Sequence, residues 1–240
     1  MHATLVNATA VIIGASFGIF LKGRIMERYL GALTVGVGLI TLVLGMTMAL
    51  GKGSFFLVLF ALILGGLLGT ALKIETRILS SGNLLRKLLS SSEDNSQFSK
   101  GFLDATVLFC VGPMTIVGSL ESGLYGNNDI ILTKSVMDGS MAIVLAASSG
   151  AGVLVSSLSI LVIQGGITLA ARALAPLATD SMLAEISALG GYLILMIALN
   201  LLDIKRVKTA NFLPALVLVV LFAWIRDSAA LSYFQASIWP

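Results

Sequence analysis

The chain has 240 residues, 57% hydrophobic and 11% charged, with a mean hydropathy of +1.01. A soluble domain carries about 25% charged residues, so a water-soluble fold of this length could not cover its surface, and lipid must cover it instead. The formal charge of +3 does not point to nucleic acid, because the 15 basic residues are scattered over short loops rather than gathered on one face.

A membrane-spanning helix needs about 20 mostly apolar residues. Ala3 to Leu21 is the first such run, Leu30 to Leu50 the second and Phe55 to Leu72 the third. The first run lacks a basic leader and ends in Lys22, Arg24 and Arg28, which reads as a retained span rather than a cleaved signal peptide. Residues 73–100 form a polar cytoplasmic loop, in which Leu84, Leu85, Leu88 and Leu89 beside Arg86 and Lys87 suggest a short helix on the membrane surface. Phe102 to Leu120 is the fourth span, and Leu124 to Asp129 a turn. The region Ile130 to Ala173 would run about 66 Å as one helix, twice the hydrocarbon thickness. It must break, and Ser148-Ser149-Gly150-Ala151-Gly152 is the place. Span five is then Ile130 to Ser149 with Asp129 as N-cap, and span six Val153 to Ala173. Met182 to Leu202 is span seven, and Phe212 to Trp224, extendable toward Leu231, is span eight.

The reading is an all-α, polytopic transmembrane bundle of about eight spans in one domain, 1–240, or seven if the fifth and sixth form one broken helix. Charge supports eight. One side holds Lys22, Arg24, Arg28, Lys73, Arg77, Arg86, Lys87, Lys100, Lys205, Arg206 and Lys208, the other Lys52, Lys134, Arg172 and Arg226. That is 11 against 4, compared with 10 against 5 for a single crossing of Ile130 to Ala173. Basic residues concentrate in the cytoplasm, so both termini face outward. Gly14-x-x-x-Gly18-x-x-Leu21-Lys22 recurs as Gly65-x-x-x-Gly69-x-x-Leu72-Lys73. Small residues four apart let helices approach closely. These faces serve either packing within the chain, a duplicated transporter architecture, or a homodimer.

The stretch Phe109 to Gly152 carries what lipid tolerates badly, and an ionisable group inside a membrane segment defaults to a functional-site hypothesis. Pro113, after Gly112, removes a backbone donor, so span four kinks near its middle and frees carbonyls. Asp138 lies nine positions after Asp129, about 13 Å into span five and level with Pro113. Lys134, one turn before it, either neutralises Asp138 in a structural ion pair, or is a competing charge displaced during transport, or attracts an anionic substrate. The short turn around Gly126 makes spans four and five adjacent and antiparallel. Gly112, Pro113 and Thr115 are therefore expected to face Asp138 and Ser140 near mid-membrane. Glu121 belongs at the outer mouth as a rim residue, and Asp104 near the inner interface. Gln164 can hydrogen-bond across helices.

Enzyme chemistry is not expected. Cys110 is the one cysteine and His2 the one histidine. Neither an intrachain disulfide nor a clustered metal site can be built from them, and no cofactor is implied. No Gly-x-Ser-x-Gly elbow or phosphate-binding Gly-x-x-x-x-Gly-Lys-Ser/Thr loop occurs. The runs GPMTIVGSLESGL (112–124), TKSVMDGSMAIVLAASSG (133–150), EISALGGYLILMIALNLL (185–202) and ANFLPAL (210–216) resemble the YqgA- and YdfK-type proteins, a domain-of-unknown-function family of bacterial inner-membrane proteins. The resemblance implies a multi-pass protein of the bacterial inner membrane and carries no activity with it. The polar groups at membrane depth lead to the functional expectation of a transporter or channel for a small solute or ion, with membrane lipids around it. The alternative is a non-transporting membrane scaffold or accessory subunit.

Overall fold

The computed structural model describes residues 1–22, 27–78, 80, 95–175 and 179–238, and every regular element among them is helical. The elements are α1 (His2–Lys22), α2 (Glu27–Ala49), α3 (Phe55–Ala71), α4 (Asn95–Cys110), α5 (Pro113–Leu124), α6 (Asp129–Ser149), α7 (Gly152–Leu169), α8 (Asp180–Leu201) and α9 (Pro214–Ile238). Short helical turns lie at Ala171–Leu174 and Thr209–Phe212. The expected surface helix around Leu84 to Leu89 lies outside the described residues.

Local chemistry sets the helix ends. Thr179 caps α8 by accepting the Met182 N–H at 3.2 Å. At the start of α6 the expected cap is corrected by one residue. Asn128 holds the cap position, and Asp129 is already helical, its N–H bonded to the Asn127 side chain at 3.1 Å. The turn before it passes through Gly126 at φ +71°, and the break between α6 and α7 through Gly150 at φ +85°, a conformation glycine adopts without a Cβ clash. The chain doubles back there, so Ile130 to Ala173 forms two helices. Pro113 is the first residue of α5, which leaves α4 at an angle of 58°. The kink expected in span four is therefore a full interruption.

Five helical segments are long and apolar enough to cross a membrane: His2–Leu21, Asp129–Ser149, Gly152–Leu169, Asp180–Leu201 and Thr209–Ser228. The bent pair α4 and α5 makes a sixth if it crosses as one broken span, and Thr34–Ala49 and Phe55–Ala71 are apolar but shorter. Five to six of the eight expected spans thus stand on length and hydropathy. Ile13, Phe56, Val136, Val162 and Val217 are all exposed, an outer surface suited to hydrocarbon. The core is built from Val11 of α1, Phe109 of α4, Leu145 of α6, Ile160 of α7 and Leu193, Ile194 and Ile197 of α8.

Glycines set the interhelical distances. On α1, Gly14 lies against the backbone of Gly139 and Gly18 against that of Ile143, which brings α1 and α6 into their close parallel contact. On α3, Gly65 abuts Ala215 and Gly69 abuts Asn211, so α3 runs antiparallel to α9. Both repeats of the Gly-x-x-x-Gly face are occupied inside one chain. Beyond α3, Glu75 and the Thr209–Phe212 turn clasp each other. The Glu75 N–H donates to Asn211 Oδ1 at 2.9 Å, and Glu75 Oε2 accepts the Ala210 N–H at 3.2 Å. Burial there pushes the Glu75 carboxyl above its ordinary value, against the Ala210 N–H and the Lys208 charge.

Gly18→Leu should lower stability by about 1–3 kcal/mol, the usual range for overpacking, while Gly36→Ala, with open space around it, should not. Thermal unfolding in detergent distinguishes the two. Because the folded pKa of Glu75 is raised, its contribution is full below the unfolded value and is lost as pH rises through the folded one. Glu75→Gln should flatten that part of the stability-versus-pH curve; an unchanged slope would remove Glu75 from the account.

Candidate functional site

The break before Pro113 creates a specific vacancy in the backbone ladder. In an unbroken helix the Phe109 carbonyl would accept the N–H of residue 113, and proline has none. Two side chains fill the position. Lys134 Nζ donates to Phe109 O at 2.8 Å, and Thr115 Oγ1 donates to the same oxygen at 2.9 Å. An unmatched carbonyl in a bilayer costs several kcal/mol, so both contacts secure the kink.

Lys134 then reaches Asp138 on its own helix. The two are 5% and 8% exposed and form a hydrogen-bonded ion pair. Asp138 Oδ2 also accepts Asn7 Nδ2 of α1 at 3.1 Å, and Asn7 Nδ2 donates at 2.9 Å to Gln164 Oε1 of α7. Gln164 Nε2 returns to Thr4 Oγ1 at 3.3 Å. A continuous polar chain therefore crosses the bundle from Thr4 and Gln164 through Asn7, Asp138 and Lys134 to the α4–α5 break. Asn7 Oδ1 and Ser119 Oγ are buried without a hydrogen-bond partner among the described residues.

The structure brings together Asp138, Lys134 and Thr115 of the expected site, with the interruption at Gly112 and Pro113. Their link is indirect, through the Phe109 carbonyl and the Lys134 ammonium. Ser140 does not join: it is exposed and its hydroxyl donates to Val136 O at 2.8 Å on its own helix. Glu121 lies away from the chain at the turn, accepting Asn127 Nδ2 at 2.9 Å. Asn7 was the residue not found by reading spans for charge. Its signal was an amide between Val6 and Ala8 in an otherwise apolar run.

Two other polar positions are separate from this chain. Glu185, 2% exposed, accepts Arg226 Nη1 at 2.7 Å and the Ser54 N–H at 2.9 Å, which fastens the start of α3 and the middle of α9 to α8. Asp104 lines a cleft of about 200 Å³ near the ends of α6 and α8. A larger cavity of about 540 Å³ is walled by apolar side chains, among them Cys110, Ile116, Leu120, Ile163 and Val217, and does not include Asp138. Among the described residues, no group of three or more His, Cys, Asp or Glu could hold a metal ion.

Asp138→Asn leaves the Lys134 ammonium without its counter-charge. Removing one partner of a buried pair costs about 3–5 kcal/mol, whereas replacing both is near neutral. Folded yield and thermal unfolding should therefore fall for Asp138→Asn and recover in part when Lys134→Met is added, with Thr115 left as the donor to the Phe109 carbonyl. Equal stability of all three proteins would show that the pair is not energetically coupled.

A family described as "Protein of unknown function (DUF554)" matches residues 2–224. The chain is 32% identical over 228 residues to "Uncharacterized membrane protein YdfK" of Bacillus subtilis, covering 92% of this chain and 96% of that protein. It is 33% identical over 219 residues to "Uncharacterized protein YqgA" of Escherichia coli, covering 90% and 93%. No solved structure matches.

Proposed function

This chain belongs to the DUF554 family of proteins of unknown function, and we propose that it is a multi-pass transporter or channel of the bacterial inner membrane for a small solute or ion. The observation that carries this reading is the ion pair of Lys134 and Asp138, buried within a candidate span and continued by Asn7 and Gln164 across three helices. Packing alone does not call for two charges in hydrocarbon, since a buried pair gives little net stability over apolar residues of the same volume. Charged groups inside spans mark substrate and ion pathways far more often.

In this reading Lys134 is a tethered cation on the Asp138 carboxylate. A solute bearing positive charge competes for Asp138, and the released ammonium retains the Phe109 carbonyl as its acceptor. The resting pair is neutral, and a monovalent cation or proton that takes the place of Lys134 on Asp138 adds one positive charge, carried by the displaced ammonium at the Phe109 carbonyl. The kinked α4 and α5 give this exchange a backbone element that can move without breaking a helix ladder, because the ladder is already interrupted there.

The second reading is a non-transporting scaffold or accessory subunit. It is favoured by the saturation of Lys134, whose ammonium is held by both Phe109 O and Asp138. For topology we propose eight crossings, with α3 as a short span, α4 and α5 as one broken span, and both termini outside. The parallel α1–α6 and antiparallel α3–α9 contacts agree with that order.

Reporter fusions at both termini and within residues 90–96 should place the termini opposite the loop. The same side for all three would end the eight-span arrangement. Proteoliposomes carrying the folded Asp138→Asn, Lys134→Met double variant should lose the solute flux that the natural protein shows across a panel of ions, amino acids and polyamines. No flux for any solute with the folded natural protein would favour the scaffold instead.

A further inference from the structure

The polar cleft beside Asp104 is distinct from the Asp138 chain and is built differently. Asp104 is 2% exposed, and its Oδ1, shielded from solvent, accepts no hydrogen bond among the described residues. Its carboxylate lines a cleft of about 200 Å³ together with Gln97, Lys100, Ser148, Ser149 and Asn200. Gly101 permits the cleft to form, since a Cβ there would meet the Ser149 carbonyl oxygen at 2.8 Å. Gln97 Nε2 reaches Ser148 O at 3.3 Å and ties α4 to the end of α6.

Apart from Lys100, the groups that border the carboxylate are electrostatically one-sided. α6 ends at Ser149 and α8 ends at Leu201, and both ends border the cleft. A helix C-terminus carries about half an elementary negative charge. Here Ser148 O accepts from Gln97 Nε2, while Ala198 O, Leu199 O and Asn200 O accept the N–H groups that follow the helix, each keeping a second lone pair. Two such ends and a buried carboxylate therefore converge on one small volume. Asn200 adds no free donor to offset them, because its two amide hydrogens go to Val207 O at 3.0 Å and Thr209 Oγ1 at 3.4 Å. The charged groups that act on Asp104 are Lys100, on the same cleft and exposed, and Glu75, whose segment clasps the Thr209–Phe212 turn. Lys100 is thus the cation at hand to compensate Asp104, and it sits where solvent can take it.

We propose that the Asp104 cleft binds a small monovalent cation, an alkali ion or ammonium, with the carboxylate as its counter-charge and the ends of α6 and α8 as the oxygen-rich wall. One carboxylate matches a single positive charge. A divalent ion on this one carboxylate would leave a second charge unmatched in a buried cleft. Lys100 competes with the bound ion for the Asp104 field. The positions of Lys73, Lys100, Lys205 and Lys208 place this end of the bundle on the basic side of the chain, so the site draws its ion from that compartment. It does not depend on the transport reading of Asp138.

The experiment is thermal unfolding of the purified full chain in detergent. Sodium, potassium, lithium and ammonium chlorides are titrated at constant ionic strength against N-methyl-glucamine chloride, with calcium as a divalent arm. A ligand that binds only the folded state raises its stability in a saturating manner. One or more monovalent ions should therefore raise the melting temperature saturably. Lys100→Gln should move the half-saturating concentration severalfold lower, Asp104→Asn should abolish the shift, and the Asp138→Asn, Lys134→Met double variant should retain it. No shift with any monovalent ion, or a stronger shift with calcium, would overturn the proposal. So would a shift that survives Asp104→Asn or is lost only in the Asp138 double variant. If Asp104→Asn does not fold, Lys100→Gln decides alone, and an unchanged half-saturating concentration there counts against the site.

Discussion

The Lys134 ammonium is the point on which the bundle depends, because it meets two unrelated needs of a chain in lipid. The proline at 113 leaves the Phe109 carbonyl without its helical donor, and the carboxylate of Asp138 needs a counter-charge. One side chain from α6 answers both. Water would satisfy either group at a soluble surface. In hydrocarbon each must be matched by the protein, so the interruption of α4–α5 and the charge on α6 are coupled. Thr115 adds a second donor to the same carbonyl, which keeps the kink closed from the α5 side.

The glycine contacts make this coupling geometrically possible. Gly14 and Gly18 bring α1 within backbone contact of α6. That closeness lets Asn7, a short side chain, reach Asp138 while also meeting Gln164 on α7. A bulkier face on α1 would hold the helices apart and leave the carboxylate with Lys134 alone. The same principle joins α3 to α9 through Gly65 and Gly69, where the product is the clasp between Glu75 and the Asn211 turn. The repeated glycine motif is thus a packing device in both copies, and what it positions differs between them.

The two acidic positions at the heart of the molecule contrast in their partners. Asp138 is paired, and its partners reach it from α1 and from its own helix. Asp104 faces a small polar volume at the ends of two helices, with its nearest cation on the solvent side. Glu185 shows a third solution, a carboxylate used to fasten helix ends, with Arg226 and the Ser54 N–H as its donors. Burial alone does not distinguish these roles. What distinguishes them is which donors converge on each carboxylate.

The sequence by itself determined the membrane class, the break at Gly150, a kink at Pro113 and most helix boundaries to within a few residues, but not the seven extra residues at the start of α4 or the extension of α9 to Ile238. Hydropathy, proline's missing N–H and the length of a bilayer crossing act locally along the chain. It also placed Asp138 one turn from Lys134, since i and i+4 share a helix face. Membership of the site was not legible in the same way. Ser140 has the right depth and the wrong face, and turns back to Val136. Asn7 lies 131 positions from Asp138 and is brought to it only by the approach of α1 to α6. Asp104 reads as an interfacial residue by its position in α4, and the ends of α6 and α8 enclose it only once the helices pack. The span count depends in the same way on tertiary placement, because α3 has only 17 residues and α4 and α5 are separated by the break before Pro113. Periodicity and composition fix what each helix is, and the contacts between helices far apart in sequence decide which side chains meet.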